Sequence, residues 1–562
     1  MSLQVAPRWR LILAYVGLGA LALVIIGRLY VLQVQQRDSL LGWGKQISVR
    51  TETIPAFRGD ILDRNGRVLA MSTPGMSLAL DPAKAPPPEQ WVEQVAQRVG
   101  IPAKTLADRF EAAKNRRFMY IRRNMTPAQA SHVMDLEVPG MIAQAESRRF
   151  YPAGEASGHI IGFTDVDGRG REGLEFAFNS YMVPTDGERK VLIDRARSAI
   201  RYLPGGSEEK FGNDLFLTLD MDLQYAAYRA LKRAALRTRA EAGSAVVLDA
   251  KTGEILAAAS FPSFNPNDTT TRAPDRTRPR FVGDLFEPGS TLKPFAVALA
   301  LQEGVTEPVE VIDTPRFYKV NNHRISDTRD YQQLTPAGII QKSSNVGTAK
   351  LVLRLDPMAL PNLLFRAGFG NDTGLALPAE SEGGIPSKTR WSDLERATLG
   401  YGYGISSNAV QLAQAYTVFA NSGVMKPVSL VRGLPTADPV RVLRADIADD
   451  MLAMMRAVTA EGGTARQAKI LGYSSAGKTG TTIKAGTGGG YSERRYIGTF
   501  AGLFPATDPE LVVVVTIDDP KGSDYYGGNT AGPAFAEITR EAARILNIAP
   551  DEPEALLAEQ SK

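Results

Sequence analysis

Cysteine is absent from this chain of 562 residues, and histidine is scarce. Without cysteine there is no disulfide, no thiolate nucleophile and no cysteine-based zinc site. The three histidines, His132, His159 and His323, follow no metal-binding spacing. We therefore expect no metal, no cofactor, and structural or surface roles for these three side chains. A serine enzyme built on this sequence would need a base other than histidine.

A strong excess of one charge is also absent. The chain has 65 lysines and arginines against 61 aspartates and glutamates, for a formal net charge of +4, and no basic block stands out. This pattern excludes nucleic acid as an expected partner. The apolar fraction of 44% and the charged fraction of 22% are those of an ordinary globular protein. The length suffices for two or three domains.

One long apolar run lies near the amino terminus. Residues 11–27 are all apolar or small, Arg28 interrupts the run, and residues 29–34 continue it. At about 1.5 Å per residue, a helix over residues 11–34 spans a bilayer. We predict a retained transmembrane signal anchor there, after a cytoplasmic tail at residues 1–10. A cleaved signal peptide is the alternative, although the run is long for one. The flanking positive charges are nearly balanced and do not fix the orientation.

The first soluble region, residues 35–220, mixes short strands, helices and many turns. The segment 63–66, Asp-Arg-Asn-Gly, predicts a hairpin turn in which Asn65 and Gly66 supply positive φ angles. No nucleophile and base are paired here, so we interpret the region as a non-catalytic scaffold. Ion pairs within it are expected among two sets of side chains: Arg148, Arg149, Arg169, Arg171 and Arg189 with Glu146, Glu172, Glu175 and Glu188.

The second soluble region, residues 221–550, has clearer periodicity. Residues 214–220 predict a strand leading into it, and residues 223–236 an amphipathic helix. Residues 244–249 and 254–259 predict a strand, tight turn and strand. The apolar run at 511–517 is typical of a strand buried on both faces. Residues 551–562 form a charged carboxyl-terminal tail, for which we expect disorder.

The most informative stretch is Glu287-Pro288-Gly289-Ser290-Thr291-Leu292-Lys293-Pro294. Loop residues are followed by apolar residues at helical spacing, so we predict that Ser290 lies at the start of a helix. Lys293, three residues later, is then on the same face of that helix. A serine hydroxyl is a weak nucleophile until a base takes its proton. A lysine is such a base only when burial or nearby positive charge lowers its pKa. A second Ser-x-x-Lys match, at Ser207 and Lys210, has no apolar helix behind it and is interpreted as a solvated loop.

Two further motifs follow along the chain. In the first, Ser343 and Asn345 stand two residues apart, and their hydroxyl and amide suit a proton relay and a substrate amide. A rival match at residues 406–408 has the same spacing, which alone does not choose between them. In the second, Lys478, Thr479, Gly480 and Thr481 suit a carboxylate and leave room for a substrate backbone. Its rival at residues 251–253 falls in the predicted hairpin turn.

The order Ser-x-x-Lys, Ser-x-Asn, Lys-Thr-Gly is the signature of penicillin-binding proteins and β-lactamases. The chain up to about residue 552 resembles a class B penicillin-binding protein in particular. The match at Ser343 fits the family's second motif, and we therefore prefer it to the match at residue 406. The first-region stretches that carry the resemblance lie at 58–66, 148–154 and 170–175, and those that resemble the division type lie at 502–506, 518–521 and 525–528.

The resemblance implies an α+β multidomain fold. Its parts are a single N-terminal transmembrane helix, an elongated pedestal domain at 35–220 and a penicillin-binding, or transpeptidase, domain at 221–550. The last has a central antiparallel sheet flanked by helices, as in serine β-lactamases. The implied location is the bacterial cytoplasmic (inner) membrane, with the catalytic domain outside, in the periplasm.

The resemblance also implies a reaction, the cross-linking of peptidoglycan stem peptides in septal wall synthesis. Ser290 would attack the carbonyl between two terminal D-alanines, with Lys293 as base. Ser343 would pass the proton to the leaving D-alanine, and Asn345 would hold the acyl chain. An amine of a second stem peptide would then take the acyl group, while β-lactams would form a slow acyl-enzyme.

The same family knowledge assigns the last motif and the partners. Lys478, Thr479 and Thr481, with Gly480 between the threonines, would bind the terminal carboxylate. The backbone N–H groups of Ser290 and Thr481 would form the oxyanion hole. The implied partners are the donor and acceptor stem peptides, β-lactams, a membrane glycan polymerase and other division-site membrane proteins.

Several alternatives remain open from the sequence. One is an elongation-type transpeptidase. Another is a hydrolase, either a D,D-carboxypeptidase or a β-lactamase, which transfers the acyl group to water. The last two are a β-lactam sensor and an inactive scaffold of the division machinery. The presence of every catalytic position argues against an inactive protein, and the large non-catalytic region argues against a small secreted hydrolase.

Overall fold

The computed structural model describes residues 8–193, 199–485, 491–522 and 524–555. Most of the predicted cytoplasmic tail (residues 1–7) and most of the predicted carboxyl-terminal tail (residues 556–562) therefore lie outside the described residues. One helix, Arg8–Tyr30, continues through a π-helical segment, Val31–Gln35, and is long and apolar enough to cross a membrane. The predicted N-terminal apolar helix is confirmed, and the predicted anchor bounds 11–34 stay a prediction.

The chain divides into two compact units. The first contains the residues up to 57 together with residues 184–212, and the second contains residues 58–183 and the chain from 213 onward. In the first unit, helix Arg37–Ser48 follows the apolar helix, and three antiparallel strands form a sheet: Val49–Ile54, Gly187–Ile193 and Ala199–Ser207. The predicted domain boundary at residue 220 stays a prediction.

The amino-terminal part of the second unit has its own sheet and core. The long strand Val68–Leu80 pairs antiparallel with Met119–Met125 and with Met141–Phe150. Its apolar face packs on helices Val92–Val99, Ala103–Ala113 and Pro127–Met134. Strand Ile61–Leu62 joins this sheet and pairs in parallel with Leu215–Phe216. The strand predicted at 214–220 is thus only two residues long.

The turn at residues 63–67 differs from the prediction. Of the two residues expected to have positive φ, only Gly66 has it, at +79°. The Asp63 carboxylate accepts hydrogen bonds from the backbone N–H groups of Asn65 and Arg67, both at 2.8 Å. The segment still connects two antiparallel strands, so the predicted hairpin turn is present. An aspartate side chain that bonds the backbone two residues ahead makes its own turn, and this local bond accounts for the different φ at Asn65.

A buried ion cluster lies in the same part of the second unit. Glu175 is fully buried, and its carboxylate accepts hydrogen bonds from Arg58 Nε at 2.6 Å and from Arg149 Nε at 2.7 Å. Arg58 also donates to the Asn179 side chain at 2.8 Å and to the Glu175 backbone carbonyl at 2.8 Å. Among the pairs expected from the sequence, Arg149 with Glu175 is therefore present. Arg189 instead pairs with Glu52, and Glu146 with Arg123.

The carboxyl-terminal part of the second unit is built on a five-stranded antiparallel sheet. We label its strands β1 (Ala242–Asp249), β2 (Ile255–Phe261), β3 (Ala476–Ala485), β4 (Tyr491–Phe504) and β5 (Leu511–Asp518). Their order across the sheet is β2-β1-β5-β4-β3, which places β3 at an edge. Every residue from Leu511 to Ile517 is buried, so the predicted two-sided strand is confirmed.

Helices cover both faces of this sheet, as its all-apolar central strands require. Those used below are α1 (Met221–Thr238), α2 (Lys293–Gln302), α3 (Pro336–Lys342), α4 (Asn345–Leu353), α5 (Ala409–Ala420) and α6 (Gly532–Leu546). Smaller helices are Ala359–Arg366, Asp393–Gly400, Ala445–Arg456 and Gly527–Thr530. Short strand pairs are Ile312–Thr314 with Gln332–Leu334, Phe317–Val320 with His323–Ser326, and Val424–Met425 with Val440–Arg441.

The chain stays attached to this part beyond its last helix. Asp551, where we place the start of the tail, accepts hydrogen bonds from the backbone N–H of Ser474 at 2.7 Å and from the Thr507 hydroxyl at 2.8 Å. The Glu552 N–H donates to the Gly472 carbonyl at 3.1 Å. The first two residues of the predicted tail are therefore bound to the sheet domain.

Candidate active site

Ser290 lies in a single 3₁₀ turn, Gly289–Leu292, that leads directly into α2. Gly289 enters the turn with a φ of +57°, and its N–H donates to the Gly402 carbonyl at 3.0 Å. A Cβ at Gly402 would stand 2.0 Å from the Gly289 carbonyl oxygen, so the two glycines pack backbone to backbone. On the other side, the Tyr416 hydroxyl of α5 donates to the Thr291 carbonyl at 2.7 Å. The turn is thus held from both sides.

Lys293, the first residue of α2, is fully buried. Its Nζ lies 2.5 Å from the Ser343 carbonyl oxygen, 3.2 Å from the Ser343 hydroxyl and 2.7 Å from Asn345 Oδ1. Burial lowers the pKa of Lys293 to about 7, and the negative charge of Asp327 opposes that shift. The amine is therefore half neutral near pH 7, as the sequence interpretation of a lysine base requires.

The second motif sits where two helices meet. Ser343 ends α3 in the left-handed conformation, with a φ of +59°, and this conformation turns its carbonyl and hydroxyl toward Lys293. Ser344 caps α4 by accepting the Gly347 N–H at 2.8 Å. The buried carboxylate of Asp327 accepts the N–H groups of Asn345 and Val346, and also the Ser344 hydroxyl. Asp327 is a site residue that the sequence interpretation missed.

The third motif lies on the edge strand β3. Lys478 is fully buried, and its Nζ contacts the Thr479 carbonyl oxygen at 3.1 Å and the Thr479 hydroxyl at 3.4 Å. Burial lowers the pKa of Lys478 well below its ordinary value, and repulsion from Lys293 adds to the shift. The two lysines therefore face one cleft. Thr464 is a further residue that the sequence did not indicate, and its hydroxyl lies 2.9 Å from that of Thr479.

Gly480 is placed by close packing. A Cβ there would lie 3.0 Å from the Pro288 carbonyl oxygen and 3.1 Å from the Thr291 side chain. A larger residue at this point would separate β3 from the turn that carries Ser290. The next residue, Thr481, accepts the Gly527 N–H at 3.0 Å through its hydroxyl. The structure thus brings all three motifs together, with β3 alongside the serine turn.

The rival matches lie elsewhere and have structural roles. Asn408 caps α5, and Ser407 pairs through its backbone with Phe286. The segment 251–253 is the β1–β2 turn, where Lys251 pairs with Asp508 on the surface. Ser207 is exposed at a strand end, and Lys210 pairs through its backbone with Thr185. The three copies chosen from the sequence lie together around Lys293, whereas each rival lies elsewhere; their catalytic role stays a prediction.

Two cavities lie near the two ends of the third motif, and no motif residue lines either of them. One of about 750 Å³ is lined by Thr482, Ile483 and Lys484 of β3 together with Phe286 and Glu287, which precede Ser290. The other, of about 710 Å³, includes Thr464, whose hydroxyl meets that of Thr479.

No metal-binding group of three or more His, Asp or Glu side chains occurs in the described part of the chain. His159 is buried, with Nε2 2.7 Å from the Arg276 carbonyl oxygen, and burial lowers its pKa to about 4. Its surroundings are those of a structural histidine.

Comparison with known proteins supports the same assignment. Residues 243–540 match the family described as the penicillin-binding protein transpeptidase domain, and residues 53–217 match the penicillin-binding protein dimerisation domain. Among curated relatives, the peptidoglycan D,D-transpeptidase FtsI of Escherichia coli is 39% identical over 94% of this chain and 90% of its own. The probable peptidoglycan D,D-transpeptidase PbpC of Pseudomonas aeruginosa is 38% identical over 94% of both chains.

Solved structures agree in fold. Penicillin-binding protein 3 of Mycobacterium tuberculosis, complexed with aztreonam, has a TM-score of 0.70 and 28% identity, with 89% of this chain and 99% of that chain covered. The transpeptidase domain of Burkholderia pseudomallei penicillin-binding protein 3 has a TM-score of 0.55 and 34% identity, with 60% and 98% covered.

The antiparallel sheet and the serine turn packed against its edge strand define a serine enzyme of the penicillin-recognising class. The chain belongs to the class B penicillin-binding protein family, among the peptidoglycan D,D-transpeptidases of the FtsI and penicillin-binding protein 3 type. The recognition made from the three sequence motifs is confirmed.

Proposed function

We propose that Ser290, Lys293, Ser343 and Asn345 carry out the D,D-transpeptidase reaction of this penicillin-sensitive enzyme. The supporting observation is the buried amine of Lys293, whose pKa lies near 7 and which contacts both Ser343 and Asn345. In the first half-reaction, Ser290 Oγ bonds to the carbonyl carbon between two terminal D-alanines. The peptide C–N bond breaks, and the serine proton ends on the amine of the leaving D-alanine.

The partners of Lys293 favour its role as a base. A neutral amine has two N–H groups and one lone pair. The Ser343 carbonyl and the Asn345 amide oxygen accept hydrogen bonds only, so they take the two N–H groups. The lone pair is then left for a hydroxyl proton, either from Ser290 or from Ser343. Ser343 thereby links the base to the leaving amine.

Lys478, Thr479 and Thr481 would hold the substrate carboxylate. The Thr481 hydroxyl oxygen already accepts the Gly527 N–H, so its own proton is free to donate. The substrate backbone would pair along the open edge of β3, and Gly480 keeps that edge close to the serine turn. The N–H groups of Ser290 and Thr481 would stabilise the oxyanion, a contribution of about 3 to 4 kcal/mol for one such donor.

The proposed location follows from the substrate. The enzyme is a single-pass membrane protein with one amino-terminal apolar helix. Peptidoglycan is built outside the cytoplasmic membrane, and we place the catalytic domain there. We also propose that a membrane glycan polymerase supplies the glycan strands and that other division-site proteins position the enzyme at the septum.

Intact-mass measurement after incubation with benzylpenicillin tests this assignment. We expect a stable adduct that peptide mapping places on Ser290 and that Ser290→Ala abolishes while the protein stays folded. Ser207→Ala and Lys251→Ala are matched controls, since they alter the rival motifs, and both should keep full labelling. An adduct retained in Ser290→Ala would refute the assignment. Rapid loss of the adduct from the unaltered enzyme would favour a hydrolase.

A further inference from the structure

Two cavities meet at the Thr479 end of the cleft. Each has a volume of about 710 Å³, and they share Gln467 and Lys469 in their walls. The first begins at Thr464, and the second runs between helices α1 and α6. The two cavities therefore adjoin, and we call the pair the basic groove. Its charged residues are Arg233, Arg237, Glu461, Arg466, Lys469, Glu537, Arg540 and Glu541.

The groove is tied to the catalytic motifs through the segment 459–464. The Thr464 hydroxyl lies 2.9 Å from that of Thr479, and the Thr459 hydroxyl donates to the Ser475 carbonyl just before β3 at 2.8 Å. Lys342, the residue before Ser343, donates from Nζ to the Gly462 carbonyl at 2.9 Å. One wall of the groove is therefore bonded to both sides of the active site.

The groove has more positive charge than its own carboxylates neutralise. Glu537 and Glu541 are already paired, with Arg233 and Arg544. Arg466, Lys469 and Arg540 form no salt bridge with any residue that the structure describes. This leaves exposed cations along the groove and Glu461 as its one remaining carboxylate. Such a surface attracts a ligand with carboxylate groups.

The position of the groove fits the second half-reaction. If the donor's terminal carboxylate lies at Thr479 and Thr481, the leaving D-alanine departs at the Thr479 end of β3. The acyl chain stays on the Thr482–Lys484 side, beside the other cavity. The attacking amine must take the place of the nitrogen that left, so it enters from the Thr479 end, where the groove begins.

We propose that the basic groove binds the acceptor stem peptide through its carboxylates, with Arg466 and Lys469 nearest the reacting amine; this assignment rests on the function proposed above. The amine nitrogen bonds to the acyl carbon, the ester bond to Ser290 Oγ breaks, and the proton lost by the amine returns to Ser290 through Lys293. Arg466 and Lys469 act in positioning the acceptor, and the donor half-reaction does not use them.

Partitioning of the acyl-enzyme tests the groove separately from the nucleophile. The full-length enzyme is given an N-acyl-D-alanyl thioester as donor, with D-alanine or D-alanine amide as acceptor. In Arg466→Ala/Lys469→Ala, we expect the ratio of aminolysis to hydrolysis with D-alanine to fall about fivefold, since each exposed charge pair contributes modestly. With D-alanine amide, which lacks the carboxylate, the ratio should hardly change. The acylation rate with benzylpenicillin, which needs no acceptor, should stay within about twofold.

Matched variants separate charge from general damage. Compared with Arg466→Ala/Lys469→Ala, the variant Arg466→Ala/Lys469→Arg should recover part of the ratio of aminolysis to hydrolysis, because it has a positive charge at residue 469. Arg229→Ala, on the exposed face of α1 outside the groove, should change nothing. An equal loss with both acceptors, no loss with either, or slower acylation by benzylpenicillin would overturn the acceptor assignment. Absence of a Ser290 adduct in the unaltered enzyme would instead overturn the proposed function.

Discussion

Two regions of the second unit bury charge in opposite ways. Around Glu175, two guanidinium groups meet one carboxylate at 2.6 and 2.7 Å. Around Lys293 and Lys478, the described hydrogen bonds of the buried amines go only to neutral oxygens. A paired charge can be buried as part of the structure, whereas a buried amine without a carboxylate partner has its pKa lowered. The first arrangement contributes to the fold, and the second is the one that we propose makes Lys293 a base.

Replacing Lys293 by methionine should give the largest difference between the effect on acylation and the effect on stability. Methionine has a similar length and no amine, so the base is lost while the core stays filled. We expect the acylation rate with benzylpenicillin to fall about 100- to 10,000-fold, the usual contribution of a general base. The thermal unfolding midpoint should stay the same or rise, because an amine no longer has to be desolvated. A large drop in that midpoint would show that Lys293 serves the fold.

Glu175→Gln should have the opposite result. It leaves Arg58 and Arg149 buried beside a neutral amide, and breaking a buried ion pair in this way costs about 3 to 5 kcal/mol. We expect a clear fall in the thermal unfolding midpoint, with acylation per folded molecule unchanged. Glu172→Gln, at a half-buried neighbour outside the cluster, is the control and should change stability little. Lost acylation in folded Glu175→Gln would contradict the division of roles.

The pH dependence of acylation sharpens the comparison further. Only the neutral amine of Lys293 can accept the serine proton, and its pKa is lowered to about 7. The acylation rate should therefore rise with pH, by about tenfold per pH unit below 7, and level off above it. Rates with benzylpenicillin from pH 5 to 9 measure this. A flat profile across that range, with the protein folded throughout, would rule out Lys293 as the titrating base.

Asp327→Asn should have the smallest effect on the reaction, and that effect should be a shift in the pH profile of acylation. The carboxylate of Asp327 raises the pKa of Lys293 against the effect of burial. Removing its charge should shift the rising limb of the pH profile to lower pH. Stability should also fall by about 1 to 3 kcal/mol, since Asp327 accepts charge-assisted hydrogen bonds from the start of α4. Asp330→Asn, at an exposed position on the same loop, is the control and should leave the rising limb of the pH profile unchanged. A shift of that limb in Asp330→Asn would contradict this account.

The three catalytic motifs were predictable because each is local. Ser290 and Lys293 are one helical turn apart, and Ser343 and Asn345 flank a single helix junction. Asp327, Tyr416 and Thr464 were not predictable, because no spacing marks them. Tyr416 lies 125 residues from Thr291, and Asp327 and Thr464 lie 17 and 15 residues from their partners Ser344 and Thr479.

The fold was predictable to a similar extent. The β1–β2 hairpin and the buried strand β5 follow from apolar pattern and turn residues alone. The strand at 215–216 is shorter than predicted because its length depends on pairing with Ile61–Leu62 from another part of the chain. The hairpin turn at residues 63–66 is present, but the positive φ predicted for Asn65 was wrong, because the Asp63 side chain bonds the Asn65 N–H and sets the local backbone.

The contact between Gly289 and Gly402 limits how this enzyme can evolve under antibiotic pressure. Any side chain at residue 402 would push against the backbone beside Ser290 and move the nucleophile. Under the proposed function, that movement would slow the reaction with a β-lactam and with the stem peptide together, because both would acylate the Ser290 hydroxyl. A substitution at residue 402 that slows the reaction with a β-lactam would therefore also slow the reaction with the stem peptide.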